Sequence, residues 1–131
     1  VVDLEVAPAR AKAVASAIAN GLVRSAHDPS EGGVLLAAAE MAFAGEIGLS
    51  LDVSAVQGDL ASLGVACFAE TPSRYLLEVD PANLTELATV LGETPHCVIG
   101  EFVPEQILTM GDTLAVLLDD LRASWQSGLN L

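Results

Sequence analysis

The stretch Gly21-Leu22-Val23-Arg24-Ser25-Ala26-His27-Asp28-Pro29-Ser30-Glu31-Gly32-Gly33, running on into Val34-Leu35-Leu36-Ala37-Ala38-Ala39-Glu40, decides the fold. Leu22 to His27 is short and reads as a strand. Pro29 biases Asp28 toward extended backbone, and the paired glycines Gly32 and Gly33 interrupt regular structure, so residues 28–33 form a loop. From Val34 to Ala44 the spacing of Leu35/Leu36, Ala39 and Phe43, together with the alanine content, predicts a helix that Gly45 closes. A strand that enters a tight loop and leaves as a helix is a building unit of alternating α/β folds.

Working outward, Pro8 suits a first helical turn, and Val14, Ile18 and Leu22 fall at i, i+4 and i+8. A helix is expected from Pro8 to Asn20, with Asn20-Gly21 as its stop. On the other side, Leu49, Leu51 and Val53 alternate with Ser50 and Asp52, the period of a half-buried strand. A short helical turn is expected at Leu60 to Leu63. A second strand follows from Arg74 to Val79, and Asp80 stands ready to cap a helix from Ala82 to Leu91 just ahead of Pro81. Cys97 to Val103 reads as a third strand and Ile107 to Met110 as a short fourth. From Gly111 or Asp112 to Gln126 a last helix is expected, with Leu114, Leu117/Leu118, Leu121 and Trp125 on one face. The pattern predicts an α/β (α+β) sandwich in which a mixed sheet of about four to five strands is covered by helices, with residues 1–131 as one domain.

Composition narrows the function. Hydrophobic residues make up 52% of the chain and charged residues 18%, enough to build a core and incompatible with disorder. Five basic residues against 18 acidic ones give a net charge of −13, which repels nucleic acid and anionic membranes. Phe43, Phe68, Tyr75, Phe102 and Trp125 are too scattered for a base-stacking platform. No apolar run is long enough to span a bilayer. The start carries no basic leader and no Met, so no signal peptide is expected and the chain reads as part of something longer. Cys67 and Cys97 each sit in an apolar run, as expected of buried thiols in a cytoplasmic protein.

Chemistry concentrates in the loop. Free amides at a helix start favour an anion, and glycines at Gly32 and Gly33 let backbone approach phosphate oxygens. Asp28 and Ser30, two residues apart, offer a carboxylate and a hydroxyl suited to a Mg²⁺ ion shared with phosphates. The alternative is structural: Ser30 or Asp28 caps the following helix. His27 reads as a hydrogen-bonded structural residue and Glu40 as a solvated helix edge. Arg74, one of few cations, suits either an anion or a neighbouring acid. Lys12 is the only lysine, so there is no Walker loop, and no metalloprotease or nucleophile-elbow motif occurs.

His27-Asp28-Pro29-Ser30-Glu31-Gly32-Gly33, followed by Ala39-Glu40-Met41-Ala42, resembles the H-D-x-S-[DE]-G-G…A-E-M-A signature of the phosphoribosylformylglycinamidine synthase family, within the AIR-synthase superfamily. The resemblance is to the C-terminal domain of the synthetase subunit and extends through residues 68–78 to Leu121-Arg122-Ala123-Ser124-Trp125. It implies an AIR-synthase C-terminal-domain-like, partly ferredoxin-like fold. It also implies an enzyme that uses ATP, Mg²⁺ and glutamine-derived ammonia to convert formylglycinamide ribonucleotide to its amidine. The partners implied are N-terminal-type domains of the same chain, a glutaminase and small accessory subunits. Carried over by position, Asp28 would meet Mg²⁺ and Ser30 nucleotide phosphate at an auxiliary site between domains; with the Gly32 and Gly33 amides read above as holding phosphate, the domain would be one wall of a composite site and inactive alone. Where the family shows Phe-Ser-Glu-Ser, this chain has Phe68-Ala69-Glu70-Thr71, with Glu70 and Arg74 in register. The alternatives are a packing domain without catalytic duty, or the equivalent domain of aminoimidazole ribonucleotide synthetase or a hydrogenase-maturation protein.

Overall fold

A computed structural model describes residues 3–56 and 62–128. Helix α1 (Val6–Ala19) opens where the Asp3 carboxylate accepts the amides of Glu5 and Val6 at 2.9 and 3.1 Å. It closes at Asn20-Gly21, where the Leu22 amide reaches back to the Ala17 carbonyl at 3.1 Å. Strand β1 (Val23–His27) leads through the loop to α2 (Gly33–Ala44), then β2 (Gly48–Leu51). At Asp52 the chain leaves the sheet into a single 3-10 turn at Val53–Ala55, so the expected alternation ends two residues early, although Val53 is still buried.

The turn expected at Leu60 to Leu63 falls, up to residue 61, outside the described residues. Leu63–Phe68 forms a helix, α3, capped by the Ser62 hydroxyl on the Val65 amide. Strand β3 (Leu76–Val79) is followed by a 3-10 turn at Pro81–Asn83, where Asp80 accepts the Ala82 amide at 2.9 Å, and helix α4 (Leu84–Leu91) runs on from it without a side-chain cap of its own, so the helix expected from Ala82 starts as a 3-10 turn. Strand β4 (Gly100–Val103) is the paired part of the apolar run that begins at Cys97.

The C-terminal segment departs from expectation. After β5 (Ile107–Met110) the chain turns at Gly111, pairs back as β6 (Leu114–Leu117), and only then enters α5 (Leu118–Ser127). Within β6, Leu114 and Val116 turn inward while Ala115 and Leu117 stay exposed. That two-residue period hides inside the helical spacing of Leu114, Leu117/Leu118 and Leu121, and antiparallel pairing to β5 selects it.

The sheets form two sets. A four-stranded mixed sheet runs β4-β2-β5-β6, with β2 antiparallel to β4 and parallel to β5. A separate antiparallel pair joins β1 to β3, with Ser25 opposite Glu78 and His27 opposite Leu76. Helix α2 is buried along Val34, Ala37, Ala38, Ala39 and Ala42, because alanines let neighbours approach from several sides. It packs on α3, α5, β2 and the β1–β3 pair. The main core joins it to Leu49, Leu51, Leu108 and Leu118; a smaller one gathers Ala17, Leu87 and Leu91 where α1 and α4 cover β1–β3. The fold is α+β with a four-stranded mixed sheet at its centre.

Candidate functional site

Strand β1 delivers His27 to the loop mouth, and α2 begins six residues further on. Gly32 and Gly33 sit at φ +76° and +68°, a left-handed backbone that residues with a Cβ avoid. A Cβ on Gly33 would stand 2.6 Å from the Phe68 carbonyl carbon and 2.7 Å from the Cys67 carbonyl oxygen. The glycines are therefore needed to seat the loop against the end of α3. Neither Asp28 nor Ser30 caps α2, contrary to the structural alternative. The left-handed turn places Gly32 at the cap position, and its amide donates to Glu70 Oε1 at 3.0 Å.

Asp28, Ser30 and Glu31 line one side of an open cleft of about 330 Å³, and Glu70, Ser73 and Arg74 line the other. Asp28 and Ser30 are both exposed. Of the proposed phosphate-facing amides, the Gly32 N–H points at a carboxylate that lines the cleft, whereas Gly33 is buried. A second groove, of about 550 Å³, lies between α1 and residues 73–75 and shares Asp28, Ser73 and Arg74 with the first.

Behind the loop runs a hydrogen-bonded chain linking parts of the sequence that are far apart. His27 Nε2 lies 2.9 Å from Glu40 Oε2, and Trp125 Nε1 donates to Glu40 Oε1 at 3.2 Å. His27 Nδ1 is 2.7 Å from the Asp28 carbonyl oxygen, which fixes the first residue of the loop. A carbonyl only accepts, so Nδ1 is the donor there. The expectation for His27 agrees with this geometry. The expectation for Glu40 does not: it is partly buried and partnered, not a solvated edge. Two signals for this were present, since an acid in an apolar helix is seldom inside unpaired and an indole N–H wants an acceptor. Trp125 also packs its ring at 5.7 Å from Phe43, and Arg122 donates to the Phe43 carbonyl at 2.7 Å, which ties α5 to the end of α2.

Both cysteines are free. Cys67 is buried, with its Sγ 3.6 Å from Met110 Sδ, but Cys97 is exposed. The buried expectation for Cys97 fails because it lies three residues ahead of the paired part of β4. Burial pushes the Cys67 thiol above its ordinary range; Cys97, although its residue is exposed, is also raised because its sulfur is partly desolvated, and the nearby Arg74 charge draws it partly back down.

The donor set limits what the cleft holds. Among the described residues no three His, Cys, Asp or Glu side chains converge as a metal cage. Asp28 alone fits a Mg²⁺ ion that keeps most of its waters and shares the rest of its shell with phosphate oxygens. A phosphate would reach the Gly32 amide by replacing Glu70. Among the described residues, no helix is long and apolar enough to cross a membrane.

A glycine-turned loop between a strand and a buried helix, facing an open cleft in an α+β sandwich, defines a class of domain, and the sequence matches it. Residues 1–112 match the family described as "AIR synthase related protein, C-terminal domain", and the chain belongs to that family. Within it, the chain is similar to phosphoribosylformylglycinamidine synthase subunit PurL of Thermus thermophilus. The two are 37% identical over 122 residues, which cover 90% of this chain and 16% of that protein. The same subunit of Limosilactobacillus reuteri is 45% identical over 82 residues, 63% of this chain and 10% of that one. The chain thus spans a small part of the length of these relatives. Among solved structures, "T. maritima PurL complexed with FGAR" superposes with a TM-score of 0.84 at 19% identity, over 92% of this chain and 21% of that one. "Structure of PurLQS from Thermotoga maritima" gives 0.80 at 20% identity, over 90% and 22%. At such identities the structures establish the fold.

Proposed function

We propose that this chain is one domain of a multidomain, ATP-dependent ligase of purine biosynthesis that converts formylglycinamide ribonucleotide to formylglycinamidine ribonucleotide. In this reading it forms one wall of a composite nucleotide site and is inactive alone. Support comes from the family membership, from the PurL relatives, and from solved neighbours whose names include complexes with ATP and ADP. The observation that carries the reading is geometric: Asp28 and Ser30 stand exposed on a cleft whose opposite side brings Ser73 and Arg74. ATP, when bound, supplies the phosphoryl group that activates an amide oxygen toward ammonia. This chain's part is positioning. Asp28 orients the hydrated metal, and the Ser30 hydroxyl and the Gly32 amide meet phosphate as Glu70 withdraws, while Gly33, buried against α3, seats the loop. The remaining positive charge comes from other domains, since this chain carries −13.

Asp28→Ala and Ser30→Ala in the multidomain protein test this. Each is expected to weaken Mg-nucleotide binding by about tenfold or more, the value of one charged or metal-assisted contact. A second reading, a packing domain without catalytic duty, has a specific observation in its favour: seating Gly33 on α3 and satisfying Gly32 with Glu70 explain the loop without a ligand. Wild-type nucleotide affinity and rate in both folded variants would establish that reading.

A further inference from the structure

The Asp28 side chain is 70% exposed and its carboxylate lies 3.9 Å from His27 Nδ1, beyond hydrogen-bond reach, so its place is set by the backbone that carries it. That backbone is held at one atom. The Asp28 carbonyl oxygen accepts the Ser30 amide at 2.9 Å and His27 Nδ1–H at 2.7 Å, which occupies both of its lone pairs. The Ser30 bond closes a three-residue turn on Pro29, whose ring fixes φ at about −65°, close to the value of about −75° at the centre of an inverse γ-turn. Because a peptide unit is planar, aiming this carbonyl aims the Asp28–Pro29 plane, and with it the directions in which Asp28 and Ser30 leave the loop.

The imidazole that aims the carbonyl is itself held from behind. Pairing opposite Leu76 fixes the His27 backbone, and Glu40 Oε2 holds Nε2 at 2.9 Å. Glu40 stands in the middle of α2 and accepts the Trp125 indole N–H of α5 on its other oxygen at 3.2 Å. The imidazole therefore cannot swing without losing a contact at each of its nitrogens. Glu40 lines neither the cleft nor the adjoining groove, so it would not touch a ligand at Asp28 or Ser30. Helix α5 is tied to α2 by other means as well, with Arg122 on the Phe43 carbonyl and the Trp125 ring on Phe43, so loss of the Glu40 carboxylate leaves the two helices docked.

We propose that Glu40 is a positioning residue for the metal and phosphate contacts of the loop. Held by Trp125, it holds His27, and His27 aims the carbonyl that places Asp28 and Ser30. This role rests on the proposed function of Asp28 and Ser30 and adds to it a residue outside the cleft.

Calorimetric titration of Mg-ADP into the multidomain protein provides the test, with the Asp28→Ala, Ser30→Ala double variant marking the part of the affinity that belongs to the loop. Glu40→Ala is expected to weaken that part by about tenfold, the lower end of the range for losing a group that orients a metal ligand. Added to the double variant it should cause no further loss, since the groups it places are gone. A further loss of the same size there would mark general damage to the domain and overturn the proposal. Glu40→Gln should keep nearly full affinity, because its amide donates to Nε2 and accepts from Trp125. A loss as large as in Glu40→Ala would show the effect to be one of charge and overturn the positioning role. If Glu40→Ala does not fold, Trp125→Phe keeps a ring on Phe43, removes the indole donor, and should weaken the same part severalfold. Wild-type affinity in folded Glu40→Ala, or in Trp125→Phe where it stands in, overturns the proposal. Full affinity in the double variant sinks the functional reading and this one with it. A loss there beside wild-type affinity in Glu40→Ala sinks this one alone.

Discussion

Gly33→Ala isolates the constraint that shapes the loop. The new methyl meets two penalties. A left-handed φ of +68° costs a residue with a Cβ about 1–2 kcal/mol. The second is steric: the Cβ would stand 2.6 and 2.7 Å from backbone atoms of Phe68 and Cys67, which no rotamer change relieves. Overpacking of this kind costs about 1–3 kcal/mol, so the sum is about 2–5 kcal/mol. Against a domain stability of about 5–15 kcal/mol, that is a large share. Gly21→Ala is the control, because Gly21 has φ +72° and nothing within 4 Å of its would-be Cβ. It should cost only the conformational part, about 1 kcal/mol. Urea unfolding followed by circular dichroism reads the difference; Gly33→Ala should lower the midpoint by about 1–3 M and Gly21→Ala by less than 1 M. Equal midpoints for the two variants would refute the claim that the loop is clamped onto α3.

The other expectations concern single contacts. Replacing Arg122 by Met keeps the stem and removes the donor to the Phe43 carbonyl, and should cost about 1–3 kcal/mol in thermal or urea unfolding. A double-mutant cycle of His27→Ala and Glu40→Ala should return a coupling of about 0.5–3 kcal/mol, whereas additivity would show the 2.9 Å contact to be energetically idle. Iodoacetamide should modify Cys97 well before Cys67, and in Arg74→Gln the Cys97 rate at neutral pH should fall, because the charge that draws its pKa down is gone. The Ser54 hydroxyl, then its amide, hold the Asp52 carboxyl below the usual aspartate range. The stabilisation this brings is present above that range and lost as pH falls through the lowered folded value, and Asp52→Asn should abolish that dependence in acid unfolding curves.

Much of this was legible where local chemistry dominates. The Asn20-Gly21 stop, the Asp80 cap and the alanine-rich α2 depend on neighbours in sequence, and each stands where the pattern put it. The last helix was misjudged because Leu114–Leu117 satisfies both periods, and only pairing with β5, seven residues earlier, decides between them. The same limit applies to the site. His27, Asp28 and Ser30 announce themselves in one loop, but Glu70, Glu40, Arg74 and Trp125 reach it from distant elements, and no spacing rule brings them together. Cys97 looked buried because its neighbours are apolar, yet the chain pairs only from Gly100 onward.

The two unequal cores give the protein two tiers of cohesion. Among the described residues the smaller one rests on Ala17, Leu87 and Leu91, against twelve buried residues in the other. Helices α1 and α4 should therefore open as a cooperative unit ahead of the rest and exchange their amide hydrogens first. One wall of the α1 groove belongs to that looser lobe, so the groove should change its width as the lobe opens while the larger core stays closed.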